Sequence, residues 1–166
     1  ALTTALFYGR TEIVQLLVNA LQDTNANIPA ALNHTDKNGD TALMLASEYS
    51  HTEIVELLLE ALPEADRSKI INQANQSGNT ALMIASSCCS TETAQLLNAL
   101  QEQTCTIDHI EIVKRLLDAL PENDRLDTIN HTNQNGDTAL ILASKIGHAE
   151  IMKRVLDALP ENDRLN

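Results

Sequence analysis

Residues 39–62 read GDTALMLASEYSHTEIVELLLEAL, and residues 136–159 read GDTALILASKIGHAEIMKRVLDAL. The opening of this stretch occurs a third time at residues 78–82, as GNTAL. Self-similarity at a fixed spacing predicts an array of stacked repeats, because one repeat of this size cannot bury its apolar face alone. Thr41 and Thr80 hold the same place in consecutive copies, so their separation gives a period of about 39 residues.

Each copy predicts two helices of different character. Thr41 is a suitable N-cap, and the residues after it form a short helix that is apolar on most sides. The longer helix is predicted from about Thr52 to Leu62. Its apolar residues recur at helical spacing, which indicates one buried face: Ile54, Val55, Leu57, Leu58, Ala61 and Leu62. Small and apolar residues in both helices predict close packing between repeats.

A turn precedes each short helix. It reads DKNG at residues 36–39, NQSG at 75–78 and NQNG at 133–136. Asp or Asn opens the turn, and its side chain can accept hydrogen bonds from the backbone that follows. Gly closes the turn, since it tolerates a positive φ angle.

The combined pattern D-x-x-G-x-T-x-L-x-x-A followed by H-x-E-I-V-x-L-L-L-x-A resembles the ankyrin repeat over nearly the whole chain. The resemblance implies an all-α fold, a helix-turn-helix solenoid of about four repeats. Three features depart from that family. Ala replaces the usual Pro (Ala42, Ala81, Ala139), and Met or Ile replaces the usual His (Met44, Met83, Ile141). The period is also longer than the usual ankyrin period of about 33 residues.

The additional residues of each repeat have a sequence of their own. They read LPEADR at 62–67 and LPENDR at 120–125 and 159–164. The residue before a proline leaves the helical region, and the proline suits the first position of a new helix. We therefore predict one extra helical turn after each long helix, ending near residues 70–71 or 128–129. This turn is either a structural cap or a binding element, and the cap agrees better with its acidic first turn.

The sequence predicts a single domain, residues 1–166, made of repeats at about 1–31, 32–71, 72–129 and 130–166. The first repeat lacks the turn and the capping Thr, and neither end carries a polar cap, as expected for a piece of a longer array. In the third repeat the interval from Thr80 to His109 is much longer than the matching interval from Thr41 to His51. The surplus, residues 90–108, contains a weakened copy of the long helix at 91–100. We predict an inserted helix there, either functional or a duplication that packs on the array.

The chain of 166 residues carries a formal net charge of −12. This charge argues against binding to nucleic acid or to an anionic membrane surface, and it favours a basic partner. Three cysteines make no even-numbered disulfide framework, which indicates a reducing, intracellular and cytoplasmic environment. No signal peptide or membrane span is evident in the sequence.

The resemblance also implies a function, the binding of a partner protein on a concave face of turn tips and short helices. Matched position by position, that face is predicted to contain all three aromatic residues, which interfaces favour. For Phe7, covering the cut end of the array is an alternative role. The predicted contact residues are Phe7, Tyr8, Lys37, Asn38, Asp40, Glu48, Tyr49, Gln76, Ser77, Asn79, Ser87, Cys88, Gln134, Asn135, Asp137, Lys145 and Ile146.

Candidate chemistry is weak by comparison. Cys88, Cys89, Cys105 and His109 could be read as four metal ligands, but they lack a C-x-x-C knuckle. A cysteine nucleophile paired with His109 has no evident oxyanion donor. We therefore expect no cofactor, no metal, no small-molecule substrate and no catalysis by these residues. Two alternatives stay open: a substrate-recruiting part of a larger enzyme, and a secreted bacterial effector acting on proteins in a host cytosol.

Overall fold

The computed structural model describes residues 2–24, 27–87 and 104–159, and the regular elements within these ranges are all α-helices. We number them in chain order. They are α1 (Leu2–Phe7), α2 (Thr11–Asp23), α3 (Ile28–Leu32), α4 (Ala42–Glu48), α5 (Thr52–Ala61), α6 (Glu64–Ile71), α7 (Ala81–Ser87), α8 (Thr104–Asp118), α9 (Glu122–Asn130), α10 (Ala139–Ile146) and α11 (Ala149–Asp157).

The helices stack in two parallel rows. The inner helices, α1, α4, α7 and α10, each contact the next one in that order. The outer helices, α2, α5, α8 and α11, form the second row in the same way. The inner helices α1, α4 and α10 also pack against the outer helices that follow them in the chain, which are α2, α5 and α11. The described chain is thus the helical solenoid that the sequence predicts.

The inner helices begin where the threonines predict. Thr41 Oγ1 accepts a hydrogen bond from Met44 N at 3.3 Å, and Thr138 Oγ1 accepts one from Ile141 N at 3.3 Å. Every residue of α4 from Ala42 to Ser47 is buried, because helices pack on several of its sides. Aliphatic side chains fill the core between the two rows.

The segment that lengthens the repeat forms a complete short helix rather than one turn. Pro63 and Pro121 are the N-caps of α6 and α9, with φ near −57° and −56° and extended ψ angles. The prediction placed each proline one position further into the helix, as its first residue. Arg67 Nε then donates to the carbonyl oxygens of Leu59 and Leu62 at 3.2 and 3.3 Å. Its guanidinium thus adds hydrogen bonds to carbonyl groups at the C-terminal end of α5, where Leu59 O also accepts from Leu62 N at 3.3 Å.

The outer helix of the third repeat is longer than the sequence predicts. Its in-register part was expected to begin at His109, but α8 begins at Thr104. The last residues of the predicted insertion, 104–108, therefore belong to this helix. The predicted inserted helix at 91–100 lies outside the described residues.

No helix in the described ranges is both long enough and apolar enough to cross a lipid bilayer.

Candidate functional site

The turns before α4, α7 and α10 share one local geometry. Asp36 Oδ1 accepts hydrogen bonds from Asn38 N at 2.8 Å and from Asp40 N at 2.9 Å. Asn75 and Asn133 make the same pair of contacts with the backbone of their own turns. Gly39 closes the first of these turns at φ +83°, in the left-handed region that favours glycine. Each turn is therefore rigid before any partner is considered.

Consecutive turns are joined to one another by glutamine. Gln76 N donates to Asn38 O at 3.1 Å, and its side-chain Nε2 donates to Lys37 O at 3.1 Å. Gln134 repeats this arrangement on the next turn, with its Nε2 2.7 Å from Gln76 O. The tips of all three turns are exposed, so they form one continuous edge. This role of glutamine was not predicted, although glutamine recurs in the NQ-x-G turns of the sequence.

A second set of ties lies beneath the turn tips. Asn75 Nδ2 donates to Asp40 Oδ1 at 2.7 Å, and Asn133 Nδ2 donates to Asn79 Oδ1 at 2.9 Å. Asp137, in the last turn, is bound instead by Lys145 Nζ, which lies 2.7 Å from both carboxylate oxygens. Asp40 and Asp137 are buried, although they were predicted as contact residues. The Asp40 carboxylate connects two consecutive turns, and the Asp137 carboxylate connects the last turn to α10.

The three aromatic residues meet at the C-terminal ends of α1 and α4. The ring centroids of Phe7 and Tyr49 are 4.9 Å apart, and those of Phe7 and Tyr8 are 5.0 Å apart, both in edge-to-face orientation. Phe7 is 52% exposed, Tyr8 63% and Tyr49 36%. We call this cluster, Phe7, Tyr8 and Tyr49, the aromatic ledge. It joins two neighbouring repeats across the inner row.

One carboxylate, that of Glu48, lies next to the aromatic ledge in the chain. Glu48 is the last residue of α4 and precedes Tyr49. Partial burial raises the pKa of Glu48, and the negative charges of Asp40 and Asp36 raise it further. The other end of the inner row differs, because Lys145 occupies the position in the last repeat that Glu48 occupies in the second. The inner face is thus acidic beside the aromatic ledge and carries an ion pair at its far end.

The other predicted contact residues do not join the aromatic ledge. Ser87 is half-buried, and its hydroxyl donates to Ile84 O at 3.2 Å. Ile146 is half-buried at the end of α10. Cys88 lies outside the described residues.

Of the four residues considered for metal or nucleophile chemistry, His109 is the one whose side chain the structure describes. Cys88 and Cys89 lie outside the described residues, and within the described ranges no group of three His, Cys, Asp or Glu side chains could hold a metal ion. Ser50 Oγ lies 3.1 Å from His109 Nε2, a contact that was not predicted from the sequence. Only 1% of His109 is exposed, so a substrate could not reach its ring. This contact joins the second repeat to the third.

The comparison with protein families agrees with this architecture. The family model described as ankyrin repeats (3 copies) matches residues 2–107, and the one described as ankyrin repeats (many copies) matches residues 108–156. The chain belongs to the ankyrin repeat family. None of the curated proteins compared with it matches. Ankyrin repeats are generally protein–protein interaction modules, and the family is typically non-catalytic.

Within this ankyrin array, the usual histidine of the short helix is replaced without loss of the inter-repeat ties. Met44 and Met83 are fully buried at that position. The Sδ atom of Met44 lies 3.5 Å from Thr41 N and completes the N-terminal cap of α4. Asn75, Gln76 and their counterparts in the next turn supply the connections between repeats instead. The structure therefore explains how ankyrin repeats of this sequence stack without a histidine ladder at that position.

Proposed function

We propose that this chain is a protein-binding module that holds a partner protein on the concave face formed by the turn tips and the inner helices. The observation that carries the proposal is the aromatic ledge. All three aromatic residues of the chain lie there, although its core is built from aliphatic side chains. Exposed tyrosines supply a large contact area at low conformational-entropy cost, and interface hot spots are enriched in them.

The rigidity of the surrounding turns supports the same proposal. Their backbones are fixed by the side chains of Asp36, Asn75 and Asn133 and by the glutamine contacts between turns. A surface that is ordered before binding loses little conformational entropy when a partner arrives. The exposed side chains of Lys37, Asn38, Ser77 and Asn135 lie along this edge, and we propose that they surround the aromatic contact. Such polar residues contribute specificity at the rim of an interface.

We propose further that residues 1–166 form a single array with repeats at about 1–31, 32–71, 72–129 and 130–166. The recurrence of the turn, the inner helix and the outer helix in the described ranges supports this division. A reducing, cytoplasmic location agrees with the odd number of cysteines. The partner we propose is a protein, and the residues of the array act by binding it rather than by chemistry.

Affinity capture from a cytosolic extract, read by mass spectrometry, tests the proposal. One bait is the unchanged chain, and the second carries Tyr8→Ala and Tyr49→Ala. A third carries Ile13→Ala and Leu16→Ala, which remove two exposed apolar side chains from the outer helix α2. We expect a partner that the first and third baits retain and the second loses. Equal retention by all three baits, or loss only with the third, would contradict a partner site on the aromatic ledge.

A further inference from the structure

We infer that Asn135–Gly136, at the tip of the turn before α10, is a site of spontaneous asparagine deamidation. Asn38–Gly39, in the turn before α4, is protected from the same reaction by the turn that follows it. This chemistry takes place within the turns and does not depend on the proposed function.

The reaction needs no reagent other than water. The backbone nitrogen of Gly136 attacks Cγ of Asn135, so that a C–N bond forms and the Cγ–Nδ2 bond breaks. The amide proton of Gly136 leaves with Nδ2, which releases ammonia and leaves a cyclic succinimide. Water then opens the ring at either carbonyl and gives an aspartate or an isoaspartate at position 135. Glycine permits this ring closure because it has no Cβ atom to obstruct the approach.

The Asn-Gly dipeptide occurs twice in the sequence, with nearly the same neighbours. Residues 37–43 read KNGDTAL, and residues 134–140 read QNGDTAL. Both asparagine side chains are exposed, and both glycines have φ angles in the left-handed region. Each glycine nitrogen donates to the backbone oxygen of the residue that opens its turn, at 3.1 Å in the first copy and 3.0 Å in the second. The two turns therefore hold the reacting atoms in the same way.

The two sites differ in their contact with a following turn. Asn38 O accepts from Gln76 N at 3.1 Å, and Gln76 Nε2 donates to Lys37 O at 3.1 Å, so the peptide units on both sides of Asn38 are fixed. Deamidation must rotate the peptide unit between Asn and Gly before the nitrogen can reach Cγ. At Asn38 this rotation breaks the hydrogen bond to Gln76 N. At Asn135, no residue in the described part of the chain donates to the backbone oxygen.

The space around the two glycines differs in the same sense. A Cβ atom built on Gly39 would lie 2.9 Å from Gln76 N, whereas one built on Gly136 would meet no atom of the described residues within 4 Å. The turn at Gly136 can thus change its backbone angles without moving a neighbouring turn. A folded backbone reacts through local opening, and opening is easier where fewer contacts must break. Asn135 therefore reacts faster than Asn38 in the folded protein.

The product alters the last turn in charge and in shape. Either form replaces a neutral amide by a carboxylate, which adds a negative charge to the exposed edge. Isoaspartate also carries the main chain through its side-chain carbon, so the chain becomes longer by one methylene group. The hydrogen bond from Gly136 N to Asn133 O closes the unmodified turn, and the longer chain does not keep that spacing.

Peptide mapping by mass spectrometry tests the inference. The unchanged chain is incubated at neutral pH, once folded and once unfolded in urea, and is then digested with trypsin beside a sample that was not incubated. Cleavage after Lys37 and Arg125 places the two asparagines in separate peptides, residues 38–67 and 126–145. Fragment ions locate each exchange of an amide for a carboxyl group, and chromatography separates aspartate from isoaspartate.

Gln76→Pro and Gln134→Pro are the matched variants. Each glutamine is the second residue of its four-residue turn, a position at which proline is favoured. Gln76→Pro removes both donors that fix the peptide units around Asn38. Gln134→Pro removes the corresponding donors to Ser77 O and Gln76 O and leaves the contact at Asn38 in place. If a proline variant does not fold, Gln76→Ala and Gln134→Ala replace the pair, because each removes the side-chain donor alone.

We expect Asn135 to deamidate about fivefold faster than Asn38 in the folded chain, the factor that one hydrogen bond contributes to the cost of opening. In urea the two rates should be closely similar, since the neighbouring residues are nearly identical. Gln76→Pro should raise the rate at Asn38 towards that at Asn135, whereas Gln134→Pro should leave the rate at Asn38 unchanged.

Three results would overturn the inference. Equal rates in the folded chain, or a faster reaction at Asn38, would show that the following turn gives no protection. An unmodified Asn135 in the folded chain, at a time when the urea sample is largely converted, would exclude the site. An equal rise at Asn38 with both glutamine variants would show a general loss of stability instead of the loss of one contact.

Discussion

Asn75 links its own turn to the preceding one through opposite ends of its side-chain amide. Its Oδ1 accepts from Ser77 N and Asn79 N, both at 3.0 Å, while its Nδ2 donates to Asp40 Oδ1 at 2.7 Å. An aspartate could form the turn equally well, as Asp36 shows. An aspartate could not donate to Asp40. The amide is therefore needed for the contact between repeats and not for the turn itself.

We predict that Asn75→Asp destabilises the protein more than Asn133→Asp. A carboxylate at position 75 would face Asp40, and two like charges at hydrogen-bond distance repel each other. At position 133 it would face Asn79, whose amide can rotate and donate its Nδ2 group. We expect a loss of about 1–3 kcal/mol for Asn75→Asp and under about 1 kcal/mol for Asn133→Asp.

Urea denaturation followed by circular dichroism measures both changes in unfolding free energy. The deficit of Asn75→Asp should shrink as the pH falls and one carboxylate of the new pair is protonated. Equal losses for the two variants at neutral pH would show that the contact with Asp40 has no special importance.

The turn glycines give a second prediction because their surroundings differ while their φ angles agree. Gly39 and Gly136 have φ angles of +83° and +78°. A Cβ atom on Gly39 would lie 2.9 Å from Gln76 N, whereas one on Gly136 would meet no atom within 4 Å. Gly136→Ala should therefore cost only the left-handed strain of about 1–2 kcal/mol. Gly39→Ala should cost more, because the backbone of the next turn must also shift.

Thermal unfolding of the two alanine variants compares these costs directly. A melting temperature of Gly39→Ala equal to or above that of Gly136→Ala would contradict the close approach of consecutive turns.

The arginine of the lengthened repeat gives a third prediction. Arg67 Nε donates to Leu59 O and Leu62 O, and Arg125 Nε donates to Leu117 O at 3.0 Å. Arg67→Met should keep much of the side-chain packing but lose these charge-assisted hydrogen bonds, with an expected cost of about 1–3 kcal/mol. The control is Arg154→Met, since among the described residues the Arg154 side chain pairs with exposed Glu150 at 3.5 Å, and we expect its loss to cost under about 1 kcal/mol.

Urea denaturation again distinguishes the two methionine variants. If Arg67→Met is no more destabilising than Arg154→Met, the proline-led segment does not stabilise the outer helix through its arginine.

His148 gives a prediction about pH. Burial lowers the pKa of its imidazole below the usual 6.5, so the folded state binds this proton less readily than the unfolded state does. The stabilising effect of a neutral His148 is therefore complete above pH 6.5 and is lost as the pH falls towards the lowered pKa. We expect the stability of the unchanged chain to decrease more than that of His148→Gln over this interval.

Urea midpoints of both proteins, measured in steps from pH 8 to pH 5, make the comparison, because titrations common to both cancel in the difference. A difference that stays constant with pH, or one that grows in favour of the unchanged chain on acidification, would contradict the assignment to His148.

The features predicted well from the sequence are those fixed by local chemistry. Thr41 caps α4 and Gly39 closes its turn because each acts on residues close to itself in the chain. The rows of inner and outer helices were also predictable, since apolar spacing and repetition determine them together.

The features that were missed depend on contacts between repeats or between distant parts of one repeat. Asp40 has the same local sequence signals as an exposed turn residue, and its burial depends on Asn75 of the next turn. Arg67 reaches back to Leu59 across a change of chain direction at Pro63 that a helical periodicity does not describe. The meeting of Phe7 and Tyr49 depends likewise on how closely α1 and α4 pack.

Because all aromatic residues lie in the aromatic ledge, the intrinsic ultraviolet fluorescence of this protein comes from that surface. Tyr8 and Tyr49 are the only tyrosines, and the chain has no tryptophan. Its tyrosine fluorescence therefore arises entirely at the proposed partner surface. That surface can be observed without an added fluorophore. An unfolding curve recorded from that emission reports on the first two repeats, whereas a helix signal reports on the whole array. Any separation between the two curves would measure how far the repeats unfold independently.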